Sequence, residues 1–190
     1  KRQVMYFPST DGRPLKALYY AVAQALQNLK YVVRSKNVAL RLPYEGGFHI
    51  DVVPGKAQDV SFKYATLYKS EDDTTRQTSI KVHIDSVRKS DVRDIVKLMK
   101  LWRFQREIDW SSIALEQTVI RALAGSRTKS DLGESTWAVL GFIRDNIATV
   151  RLLDPANTAN AIEMPAALRQ QLKAAATACR AADDWTTIIW

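Results

Sequence analysis

The stretch Phe48-His49-Ile50-Asp51-Val52-Val53-Pro54, preceded by Gly46-Gly47, carries the residue types best suited to chemistry in this chain. It reads as a short apolar strand with one carboxylate in its middle. Alternation along a strand puts His49, Asp51 and Val53 on one face and Phe48, Ile50 and Val52 on the other. Burying an unpaired carboxylate is costly, so an acid placed here needs a metal ion, a donor network or water. Two readings stand: an edge strand whose Asp51 faces solvent, or a ligand held on a rigid strand. His49 can tune Asp51 or touch a ligand, and a histidine satisfied within the fold suits the position as well. With His83 as the only other histidine, the imidazoles build no metal site by themselves. The paired acids Asp72-Asp73 and Asp183-Asp184 fall in a polar stretch and a C-terminal turn, positions that suit solvated carboxylates.

The elements that position these groups follow from punctuation and periodicity. Val4–Phe7 reads as a strand stopped by the turn cluster Pro8-Ser9-Thr10-Asp11-Gly12. Pro14 suits the first turn of a helix. Leu15, Leu18, Tyr19, Val22, Leu26 and Leu29 then form the apolar stripe of an amphipathic helix, packed on a sheet. Val32-Val33, Val38–Leu42 and Phe62–Tyr68 read as strands, and Ser70–Thr78 as a polar loop. Character changes near Ser90, a candidate N-cap for a helix through Trp102 with Val92, Ile95, Val96 and Met99 on one stripe. Ser111 caps a second helix carrying Leu115, Val119, Ile120 and Leu123. Gly125–Glu134 reads as a linker, Trp137–Ile147 as a third helix, and Pro165 opens an alanine-rich fourth running to about Ala181. Strands followed by helices predict an α+β fold in two lobes.

The 190 residues are 46% hydrophobic, enough for one domain or two small lobes. Lys and Arg outnumber Asp and Glu by 28 to 20, a net charge of +8 that suits a polyanionic ligand without specifying one. Cys179 is the sole cysteine, which excludes a disulfide framework and a thiolate zinc site. No signal peptide and no bilayer-spanning apolar run is present, so the expected setting is reducing, cytoplasmic and without membrane. The chain opens at Lys1 directly into a strand-like run and reads as starting mid-domain.

With these residues in view, Gly47-Phe48-His49-Ile50-Asp51-Val52-Val53-Pro54 resembles the third-acid strand of the oligoadenylate-synthase and cyclic GMP-AMP-synthase-like nucleotidyltransferases. The bacterial enzymes that make cyclic di- and trinucleotide second messengers are the nearest part of that group. Further landmarks follow in the family's order. Gln77–Ile84 is similar to the segment leading into the helical lobe. Val96–Trp102 resembles the helix with a triphosphate-contacting lysine, and Ser111–Glu116 the helix start whose serine meets the nucleotide. Leu153-Asp154-Pro155-Ala156-Asn157 and Trp185–Trp190 look like the family's tail, although Trp185 and Trp190 also suit packing anchors. The resemblance implies a nucleotidyltransferase-type mixed sheet over residues 1–88 and a helical nucleotide-binding lobe over 89–190.

It also implies NTP substrates, Mg²⁺ or Mn²⁺, and bacterial anti-phage signalling. A regulatory protein partner is possible, and nucleic acid is not required. Transfer of a nucleotidyl group needs charge neutralisation and positioning, which two divalent ions held by carboxylates supply. Asp51 is then the third metal ligand, catalytic in that sense, with Lys100 and Ser112 on the nucleotide. Two alternatives remain open: Lys97 and Lys100 solvate a helix face, and Ser111 or Ser112 simply caps a helix. The family's Gly-Ser loop and paired acids belong ahead of Val4, where this chain has Lys1-Arg2-Gln3. Either those acids lie upstream or Lys1 and Gln3 replace them. On both accounts the chain alone is expected to be inactive or very weak. Competing readings are a noncatalytic nucleic-acid-binding module and a linear RNA-end nucleotide-adding enzyme.

Overall fold

A computed structural model describes residues 3–7, 12–126, 130–182 and 184–186, with the backbone alone for 3–7. The expected turn residues 8–11, part of the Gly125–Glu134 linker, Asp183 and Trp190 lie outside them. The chain forms two compact units, Lys1–Val82 and His83–Trp190.

The first unit is a mixed sheet covered by one helix. Strand β1 (Gln3–Phe7) is followed by helix α1 (Leu15–Asn28), whose predicted stripe buries Leu18, Tyr19 and Val22. These pack on Leu40, Leu42, Val52 and Tyr68. Each apolar side chain so buried contributes about 1.5–3 kcal/mol. The Tyr19 hydroxyl donates to the Lys36 and Ala39 carbonyls at 2.8 and 3.1 Å, alternative acceptors for its one proton. Leu29, predicted to continue the stripe, follows the helix and is exposed.

The short strands β2 (Arg34–Ser35) and β3 (Leu40–Pro43) come next. Val32-Val33 precedes β2 rather than forming a strand. Strand β4 (His49–Ala57) is central: it pairs antiparallel with β3 across His49–Val52 and parallel with β1 across Val52–Lys56. Strand β5 (Ala65–Lys69) joins it antiparallel across Gly55–Ala57. Pro54 has no N–H to give and falls in the gap between the β3 and β5 pairings. Both faces of β4 are covered, since Val52 meets the α1 core while Val53 packs with Ala39 and Leu67. The edge-strand reading of Asp51 is thereby excluded.

Two expectations shift here. Phe62 sits at φ +54° in the turn before β5 and is exposed, so that strand starts at Ala65. Ser70–Thr78 is a hairpin partner rather than a loop, because Thr74–Thr78 forms strand β6 against β5. Threonine favours extended backbone, and a polar strand suits a sheet edge.

Helix α2 (Ile80–Lys89) starts where Ser79 Oγ accepts the Val82 N–H at 3.1 Å. Ser90 therefore follows one helix instead of capping the next; its hydroxyl donates to the Val87 carbonyl. The second unit continues with α3 (Arg93–Gln105), α4 (Ser112–Ala122), α5 (Leu132–Asn146) and α6 (Ala166–Arg180). Between α5 and α6 lies the hairpin of β7 (Leu153–Asp154) and β8 (Asn157–Ala161). Helix α5 begins inside the predicted linker because Asp131 caps it, accepting the Glu134 N–H at 2.9 Å. Trp102, Leu115, Val119, Leu140, Ile143 and Leu172 share one core. Cys179 is buried there, accepting the Trp102 indole N–H at 3.3 Å.

Candidate functional site

Asp51 sits at a cross-strand position of β3 and β4 directly opposite Arg41. The paired residues are symmetric about Gly46, which lies in the one-turn helix Glu45–Gly47 joining the two strands. Gly46 and Gly47 adopt φ of +67° and +76°, a backbone that residues with a Cβ rarely take, so these glycines set the register. The consequence is a forked ion pair. Arg41 Nε donates to Asp51 Oδ1 at 2.8 Å, and Nη2 donates to Oδ2 at 3.0 Å. The hydrogen bond to Asp51 is also the largest cause holding the Arg41 guanidinium above its ordinary pKa. Only 10% of the Asp51 side chain is exposed, against 33% for Arg41. His49 approaches from the strand start, its Nε2 4.0 Å from Asp51 Oδ2, and stays half exposed.

In the second unit, α3 and α4 pack together and bring Lys100 to Glu116, Nζ to Oε1 at 2.6 Å. Glu116 is one turn beyond Ser112 on α4, so the two share a helix face. Ser111 is the N-cap, its hydroxyl accepting the Ala114 N–H at 3.4 Å. Among the described residues no hydrogen bond engages the Ser112 hydroxyl. Capping, which the sequence could assign to either serine, falls to Ser111. The two lysines separate as well. Lys97 forms an exposed pair with Asp94 at 2.7 Å, whereas the Lys100 side chain is only 37% exposed.

The remaining candidates have structural partners. Asp72 accepts from Lys69 and from the Thr74 hydroxyl, and Asp73 from Lys16 and Tyr68, all at the β5–β6 turn. Asp184 accepts the Thr186 N–H and hydroxyl. His83 pairs with Asp154 inside the second unit. Trp185 stacks edge-on against Trp137 at 6.0 Å.

A Mg²⁺ site needs several hard oxygen ligands converging on one point. Among the described residues no group of three His, Cys, Asp or Glu side chains does so. Both Asp51 oxygens already receive N–H groups from Arg41. This donor set does not fit a Mg²⁺ centre. Arg41 and Glu116 are the residues that sequence reasoning passed over. Arg41 had a signal: folding the strand on a turn at Gly46 places it opposite Asp51.

No family model and no curated protein sequence matches the chain. Solved structures do. E. coli MS115-1 CdnC with ATP matches at a TM-score of 0.71 and 17% identity, covering 94% of this chain and 69% of that one. Vibrio cholerae DncV in its GTP-bound form matches at 0.73 and 20%, covering 96% and 57%. Bradyrhizobium diazoefficiens CdnG, a CD-NTase in complex with GTP, matches at 0.65 and 13%, covering 94% and 70%. The chain has the CD-NTase fold. Within the CD-NTase fold, the Asp51 strand is the centre of the sheet and the Lys100–Glu116 pair belongs to the helical unit. At these identities the likeness is one of architecture, and the chain spans little more than half the length of DncV. No described helix is long and apolar enough to cross a membrane.

Proposed function

We propose that this chain serves a nucleotidyltransferase that joins NTPs into a cyclic di- or trinucleotide signal, in bacterial anti-phage defence. The observation that carries the reading is the CD-NTase fold over 94–96% of the chain, in proteins whose structures hold ATP or GTP. Lys100 and Ser112 are assigned to the nucleotide's phosphates and ribose. The ammonium is a compact charge suited to phosphate. The start of α4 adds free N–H groups that favour an anion, with Ser112 at its first turn. Asp51 takes the position of the third acid, on the most constrained strand of the sheet. Mg²⁺ or Mn²⁺ belongs to the family's chemistry, but the described residues supply no complete ligand group, so no step is assigned through it. Weak or absent catalysis by the 190 residues alone is part of this reading. CdnC is also seen in a complex with a HORMA protein, and a regulatory protein partner is part of this reading.

Filter binding of radiolabelled ATP and GTP to the 190-residue chain tests the assignment. Wild type should retain NTP, and Lys100→Ala and Ser112→Ala should each weaken retention about tenfold, ~1.4 kcal/mol. Salt-sensitive duplex binding without NTP affinity would replace this reading by a nucleic-acid-binding module, in keeping with the +8 charge. Linear products on a chromatogram would point instead to an RNA-end nucleotide-adding enzyme.

A further inference from the structure

We propose that Phe104 is the platform on which the base of a bound nucleotide stacks, with a purine nucleoside triphosphate as the preferred ligand. The inference rests on the assignment of Lys100 and Ser112 to a nucleotide and deepens it. Those two residues hold phosphate and ribose and leave the base without a partner. Two helical pairs define the face. Lys100 and Phe104 stand four residues apart on α3, and Ser112 and Glu116 four apart on α4, so each pair shares one side of its helix. The Lys100–Glu116 hydrogen bond at 2.6 Å joins the two sides. Only Arg106 to Ser111 connect the helices, so the chain reverses and the last turn of α3 returns beside the first turn of α4. The Arg103 guanidinium, donating to the Trp110 carbonyl, ties that last turn to the approach of α4. Phe104 lies one turn, about 6 Å, from Lys100 towards the connection, and Ser112 lies one turn from Glu116 in the same direction.

Phe104 is also set apart from the core. Its side chain is 75% exposed, on a helix that buries Ile95, Val96, Met99 and Trp102. Among the described residues its ring meets no other aromatic ring and no cation. A phenyl group so placed adds nothing to the packing of the second unit and keeps a flat face open. Bases stack on such faces, and the larger purine ring system gains more from the contact than a pyrimidine. The face then reads in one order: the Lys100 ammonium for phosphate, the Ser112 hydroxyl for ribose and the Phe104 ring for the base. Selection by stacking is by ring area rather than by hydrogen bonds, so this face separates purine from pyrimidine more sharply than adenine from guanine.

Isothermal titration of the 190-residue chain with ATP, CTP and inorganic tripolyphosphate tests it. Wild type should bind ATP severalfold more tightly than CTP. Phe104→Ala should weaken ATP about tenfold, bring it level with CTP, and leave tripolyphosphate, which has no base, unchanged. Phe104→Trp should keep the ATP affinity, whereas Phe104→Leu, apolar but without a flat ring, should lose it. Phe104→Ala or Phe104→Leu binding ATP as wild type does overturns the proposal. So does an equal loss of ATP and tripolyphosphate, which would mark Phe104 as structural support for Lys100. The two readings fail separately. A wild-type chain that binds no ATP removes the nucleotide assignment itself, while ATP binding that ignores Phe104 removes the stacking role alone.

Discussion

His83 Nε2 lies 2.8 Å from Asp154 Oδ1, and Asp154 is completely buried. The same oxygen accepts the Ala156 N–H at 2.8 Å within the β7–β8 turn. Two residues 71 positions apart thus fasten the start of the helical unit to its hairpin. A buried carboxylate that loses a donor retains its desolvation cost. His83→Ala should therefore lower unfolding free energy by about 1–3 kcal/mol. The double variant with Asp154→Ala should be less destabilised than the sum of the singles by about 0.5–3 kcal/mol. Urea unfolding of the four proteins measures this, and strict additivity would show that the pair does not act as a unit.

Gly55 pairs with Leu67 across β4 and β5. A Cβ built there would lie 2.6 Å from Leu67 Cδ2 and 3.3 Å from the Thr66 carbonyl oxygen. Leu67 is buried against Ala39 and Val53, so it has little room to yield. Gly55→Ala should cost about 1–3 kcal/mol. Gly12→Ala, with nothing within 4 Å, is the control and should leave the thermal midpoint unchanged within about a degree for a change under 0.2 kcal/mol.

The turn after β5 predicts an acid-side loss of stability. Hydrogen bonds from Lys16, and then from the Tyr68 hydroxyl, hold the Asp73 carboxyl below its usual range. A carboxyl whose pKa falls on folding stabilises the native state above its unfolded value, about 3.9, and loses that contribution as pH falls through the folded value. Thermal melts between pH 5 and 2 should drop less steeply for Asp73→Asn than for wild type. The Lys16–Asp73 pair is exposed, with side chains 55% and 61% accessible, so added salt should shrink the difference. The same Asp73 contact raises the Tyr68 pKa, predicting a second loss of stability as pH climbs above about 10.

Glu116 competes with any phosphate for Lys100. Freeing the lysine by Glu116→Gln should tighten NTP retention severalfold, whereas Lys100→Ala should abolish that gain. Filter binding of the single and double variants checks it. An unchanged affinity in Glu116→Gln would remove Lys100 from the nucleotide's surroundings.

Much of the architecture was legible in one dimension. The three- and four-residue stripe of α1, the N-cap Ser111 and the opening Pro165 are local signals, and each produced its helix where the chain placed them. The errors came from segments with weak local preference. Thr74–Thr78 is polar on both faces and becomes a strand because β5 offers it a ladder. Ser90 has the chemistry of a helix cap and follows a helix instead, since Ser79 had already started one.

The sequence by itself determined that an acid would sit in an apolar strand after a double glycine, and that a lysine and two serines would lie on neighbouring helices. Tertiary structure decided what those groups face. Pairing of β3 with β4 gave Asp51 a guanidinium, and packing of α3 on α4 gave Lys100 a carboxylate, with no hydrogen bond to the Ser112 hydroxyl among the described residues. Charge partners are set by register and helix packing, which join residues 10 and 16 positions apart that no local propensity links.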